Sequence, residues 1–109
     1  MPSDREQISE RYQKLYAGLV YDVLEHLGYP NQVLSHELTP LHPDMKLAGP
    51  AFTVKGVMST ERDESRRFQR LKAIREMSHP CIEVRDRGTP YAVAIYGELS
   101  ATTARAHGA

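Results

Sequence analysis

The residues best placed to do chemistry lie near the end of the chain, in YGELSATTARAHGA, residues 96–109. Gly97 precedes an acid and then a helical pattern. If Gly97 caps that helix, the amides of Glu98, Leu99 and Ser100 have no intrahelical acceptor and point out of its positive end. Such a corner cradles an anion, and a glycine lets a ligand approach the backbone closely. Where a strand runs into a helix start in an open α/β sheet, the resulting crevice is also where ligands tend to bind. Glu98 adds a carboxylate that could hold a metal-bound water or, with its pKa raised, move a proton. An acid in a first turn is also an ordinary complement to the helix macrodipole, and spacing alone favours that plainer reading.

The remaining reactive residue types have plainer explanations. Arg62, Arg66 and Arg70 recur every four residues and would line one helix face, as a phosphate contact requires. Residues 61–76 carry six basic and four acidic side chains, however, so a solvated face accounts for them as well. The histidines at 26, 36, 42, 79 and 107 show no zinc-ligand spacing and read as surface or loop residues. Cys81 opens an apolar strand, the setting of a buried, inert thiol. Ser59, Ser65 and Ser78 fall in no nucleophile-elbow motif, and no phosphate loop or dinucleotide fingerprint is present. Asp22 and Glu25 flank an apolar helical stripe, where solvent or a partner could meet them.

The elements that must position the Gly97 corner follow from periodicity. Ser3 and Glu6 form a capping-box pattern, and Ile8, Tyr12, Leu15, Leu19, Val23 and Leu27 recur at helical spacing up to Gly28. The pattern predicts a helix over 4–27, with Gly18 allowing a break into two. Residues 29–44 contain three prolines and no sustained period, which predicts a packed loop with at most a short strand near Val33. AFTVKGVM predicts a strand over 51–58. Phe68, Leu71, Ile74 and Met77 form an apolar stripe on a charged helix that ends before Pro80, with Asp63–Arg67 and Lys72–Glu76 as pairs four apart. CIEVRD alternates as a strand, RGTP is turn chemistry, and YAVAIYG is apolar throughout, as in a strand covered on both faces. A last helix over 98–107, with Gly108 just past its end, completes a mixed α/β pattern.

Length and composition bound the function. A chain of 109 residues is one domain by size and can build a core without staples. Fourteen basic residues balance fourteen acidic ones, so no global field draws the chain to nucleic acid or an anionic membrane. One cysteine, no signal-peptide pattern and no long apolar run point to a cytoplasmic protein.

Three stretches together carry a resemblance: LVYDVLEHLG (19–28), KLAGPAFTV (46–54) and YGELSATTARAHGA (96–109). In this order and spacing they resemble the family that contains the regulator of ribonuclease activity A (RraA) and the class II 4-hydroxy-4-methyl-2-oxoglutarate aldolases. The resemblance implies an RraA-like swivelling β/β/α domain over 1–109 that forms homotrimers or homohexamers with active sites between subunits. It implies a lyase that uses Mg2+ or Mn2+ to bind pyruvate's carboxylate and keto oxygens and to stabilise its enolate during retro-aldol cleavage, with oxaloacetate decarboxylase activity alongside. Carried over by position, Glu98 is the catalytic acid, acting around the metal through water. Gly97, Leu99 and Ser100 are the turn whose amides meet the substrate carboxylate, Ser100 standing where leucine is usual. Family members continue with a strand and a DGxxRD-type motif that this sequence lacks, so the resemblance leads us to expect a fold incomplete at the C-terminus and a chain catalytically poor alone. The rival reading, from the regulator branch, is a non-catalytic protein that binds a ribonuclease. An acid at a glycine-started helix leans toward the aldolase.

Overall fold

A computed structural model describes residues 1–56, 64–88 and 96–107, without the side chains of Arg66 and Arg67. Two compact units make up the chain, Met1–Gly49 and Pro50–Ala109. Helix and strand are mixed: among the described residues there are four helices and one parallel strand pair.

In the first unit, α1 spans Asp4–Gln13 and α2 spans Ala17–His26. The capping box forms at the start of α1, where Ser3 Oγ accepts from the Glu6 amide at 3.3 Å and the Glu6 carboxylate accepts from the Ser3 amide. The expected single helix does break, but at Lys14–Tyr16 rather than at Gly18. Tyr16 takes extended backbone as the cap of α2, and Gly18 lies one residue inside that helix. A Cβ on Gly18 would sit 3.5 Å from the Tyr16 ring, an ordinary contact, so the glycine accompanies the new start rather than causing the break.

Gly28 stops α2, as its sequence position predicts. Its φ of 90° is the left-handed conformation that other residues adopt at a cost, and it lets two amides turn back. Gly28 N–H donates to Glu25 O at 3.0 Å and Tyr29 N–H to Leu24 O at 2.8 Å, the paired bonds of a Schellman ending. Residues 27–50 then contain no helix or strand; Asn31, with φ of 60°, follows Pro30 in a turn, and Val33 lies in exposed loop.

The second unit is built on β1, Ala51–Lys55, and β2, Ile82–Asp86, paired in parallel with Ala51 opposite Ile82 and Lys55 opposite Asp86. Parallel neighbours need a long crossover, and the segment between them carries α3, Ser65–Arg75. The predicted end of β1 at 57–58 and the apolar strand over 91–95 lie outside the described residues. Beyond the pair, Gly56 N–H donates to Asp86 O at 2.7 Å. Gly88, at φ of 77°, passes so close to Gly56 O that a Cβ there would sit 3.2 Å away. Its amide also donates to Asp86 Oδ1 at 2.8 Å, fixing the turn.

The core of this unit gathers Ile74, Met77, Cys81 and Ala104, with Phe52 packed against them. The end of the predicted α3 stripe is therefore buried, whereas Phe68 is 69% and Leu71 44% exposed. Lys72 and Glu76 do pair, at 3.9 Å, but both are exposed and such a pair contributes little. Helix α4 spans Glu98–Ala106 and brings Ala104, only 2% exposed, into the cluster.

The two ends of the α3 stripe should respond differently to truncation. Ile74→Ala is expected to cost about 2–4 kcal/mol in chemical denaturation, and Phe68→Ala no more than about 0.5 kcal/mol. Equal losses would contradict the core described here. Gly28→Ala should cost about 1 kcal/mol in the same experiment, because alanine is strained at that φ.

Candidate functional site

Gly97 caps α4 with extended backbone, as its sequence position predicts. Without a side chain it makes no capping hydrogen bond of its own. Among the described residues, the Ala101 amide is the first in the helix to find a backbone partner there, donating to Gly97 O at 2.9 Å. The amides of Glu98, Leu99 and Ser100 precede it at the N-terminal end, where helix geometry supplies no acceptor. Gly97, Glu98 and Leu99 are exposed, Leu99 to 82%, and Ser100 is half-buried. A Cβ built on Gly97 would meet nothing within 4 Å. The corner is open to solvent, with positive dipole character and one carboxylate, that of Glu98.

What holds this corner comes from β2. Phe52 faces Glu83 and Val54 faces Arg85 in the parallel register, so all four lie on the same side of the strand pair, the side where Phe52 meets the core. Glu83 is enclosed there, its side chain 8% exposed against 20% for Arg85. A carboxylate so deeply placed must be paired, and both of its oxygens are. Glu83 Oε1 accepts from Arg85 Nε at 3.0 Å and also from Nη2. Glu83 Oε2 accepts from the Tyr96 hydroxyl at 3.1 Å. The Arg85 guanidinium in turn lies over the Tyr96 ring, 4.9 Å from its centroid, a cation–π arrangement. Tyr96 immediately precedes the Gly97 cap, so this cluster grips the chain at the entrance to α4.

Sequence reasoning did not single out Glu83, Arg85 or Tyr96. A signal was present: strand alternation puts Glu83 and Arg85 of CIEVRD on one face. Nothing in the pattern said that this face would be the covered one.

All five histidines are exposed, as are Asp22, Glu25 and Arg70. Cys81 is buried in the core. Arg62, Ser59 and Asp63 lie outside the described residues, as do the side chains of Arg66 and Arg67. Among the described residues no group of three or more His, Cys, Asp or Glu side chains could hold a metal ion. Hard divalent ions take six or more oxygens, and the Gly97 corner offers one carboxylate beside outward-pointing N–H groups, so these residues do not by themselves fit Mg2+ or Mn2+. No helix among the described residues is long and apolar enough to cross a membrane. Comparison with known proteins returns no matching family model, no matching curated protein and no matching solved structure.

The Tyr96 phenol has its pKa raised from 10.0, first by partial burial, then by the hydrogen bond to Glu83 and the charge of that carboxylate, with Arg85 opposing. A raised pKa favours the protonated phenol in the folded state. Its contribution is therefore fully present below the ordinary value and lost as pH rises through the higher folded one. Stability measured from pH 9 to 12 should fall more steeply in the wild type than in Tyr96→Phe, which has no phenol at this position to ionise. Parallel curves would show that Tyr96 titrates as it does in the unfolded chain.

Proposed function

We propose that this chain is an aldolase-like, RraA-type domain that takes the carboxylate of a small 2-oxo acid at the start of α4. In this reading Gly97, Leu99 and Ser100 supply the amides, and Glu98 is the acid beside the reacting carbon. The observation that carries it is the open N-terminal turn of α4, with space around Gly97 and the only carboxylate of that turn at Glu98. The resemblance of GELSAT, AGPAFTV and DVLEHLG to the pyruvate-aldolase family supplies the substrate class and the swivelling fold. Assembly into trimers or hexamers belongs to the same proposal.

The carboxylate end of the substrate and the chemistry are separable here. Backbone N–H groups at a helix start can bind an anion without a metal. Enolate chemistry of the lyase class requires a Lewis acid, and the described residues do not hold one alone. In this reading the corner binds the acid, and turnover depends on a Lewis acid that the described residues do not hold alone. Glu98 sets the sign of a test, because its charge opposes an incoming carboxylate when no cation stands between them.

Titrating pyruvate into isotope-labelled protein in the presence of a chelator should shift the amide signals of Glu98, Leu99 and Ser100, with a Kd on the order of millimolar. Glu98→Gln should tighten this binding a few-fold, about 1 kcal/mol or less. With magnesium added, the chain should release pyruvate from oxaloacetate no faster than the metal ion alone. Shifts elsewhere, or none at all, would remove the oxo-acid reading and leave the non-catalytic, ribonuclease-binding alternative.

A further inference from the structure

Among the described residues, Ala104, 2% exposed, is the one side chain of helix α4 buried in the core. Ala104 lies six residues beyond Glu98, roughly 9 Å along the helix axis at the usual rise. Over that length burial falls off: Thr103 and Ser100 are half-buried, Glu98 and Leu99 are exposed, and Gly97 has no side chain to wedge the entry. The hydrogen bond of Thr103 Oγ1 to Leu99 O, at 2.7 Å, is internal to the helix and cannot set its direction. Burial that lessens toward the helix start constrains the direction of its first turn less than that of the Ala104 end. A second anchor is supplied by Tyr96, which is tied to β2 twice, through its hydroxyl to Glu83 and through its ring beneath Arg85.

We infer that Glu83, Arg85 and Tyr96 are positioning residues that fix the direction in which the first turn of α4 points. Glu83 is the centre of the device. Its enclosed carboxylate cannot be left half-paired without a large desolvation cost, so it holds Arg85 and the phenol in one arrangement. The two contacts to Tyr96 differ in kind, a charge-assisted hydrogen bond and a cation over a ring, and together they restrict both position and tilt of the residue next to the cap. The claim concerns the helix start itself; its consequence for ligand binding rests on the oxo-acid reading above.

Amide hydrogen exchange on Tyr96→Phe separates positioning from general support, since phenylalanine keeps the ring and removes only the hydroxyl. Exchange of the Ala101 and Thr102 amides, the first hydrogen-bonded ones in α4, should speed up about tenfold. Exchange of the His107 amide at the other end of the helix should change by less than about twofold. Glu83→Gln, which keeps an acceptor but removes the charge, should give the same polarised pattern more strongly. An equal rise at both ends of α4, or no rise at its start, would overturn the inference. Pyruvate titration of the same variants forms a separate arm. If the wild type binds and Tyr96→Phe binds about fivefold more weakly, positioning extends to the ligand; if the wild type does not bind, the oxo-acid reading fails while the exchange pattern still decides the anchor.

Discussion

In the second unit one enclosed carboxylate ties β2 to the residue before α4. Glu83 sits on the covered side of a strand pair, opposite Phe52, in a place where an apolar side chain would be the simpler choice. Enclosing it is tolerable only because Arg85 and Tyr96 complete its hydrogen bonds. A valine at position 83 could pack at lower electrostatic cost, but it could not reach across to the residue before α4. What the buried charge supplies over an apolar contact is direction: a hydrogen bond specifies an angle, where hydrophobic contact specifies only proximity.

Much of the local structure was legible because it is written in single residues with one physical meaning. Ser3 and Glu6 announce a helix start by satisfying each other's amides, and they do so. Gly28 announces a helix end because the left-handed turn after His26 and Leu27 suits no side chain, and the Schellman bonds form there. Gly97 announces the start of α4 for the related reason that nothing need project from it. The break between α1 and α2 was harder to place. Gly18 is the weakest helix former in the stretch, but the second position of a helix costs it little, and the extended residue turned out to be Tyr16.

Burial was legible only in part, because periodicity identifies a face and not what covers it. The α3 stripe from Phe68 to Met77 is continuous in sequence, yet burial begins at Ile74, where Cys81 and Ala104 are near enough to close over it. The same limit hid the Glu83 cluster. Alternation places Glu83, Arg85 and their neighbours correctly on two faces, but polar residues on a strand are expected to face water. Only the register, which puts Phe52 and Val54 across from these charges, shows that they lie on the inner side.

In the proposed oxo-acid reading, the Gly97 corner carries an internal conflict. Free N–H groups at a helix start favour a negative guest, while Glu98 already brings one negative charge to the same turn. If the turn were meant only to be neutralised, Glu98 would suffice and the openness around Gly97 would serve nothing. If it were meant only to bind an anion, a neutral residue at 98 would do better. Under that reading the two features are compatible when something positive, a proton or a cation with further ligands, stands between the carboxylate and the proposed oxo acid. Among the described residues no group of three or more His, Cys, Asp or Glu side chains gathers to hold such a cation, so in the proposed reading it needs ligands beyond Glu98.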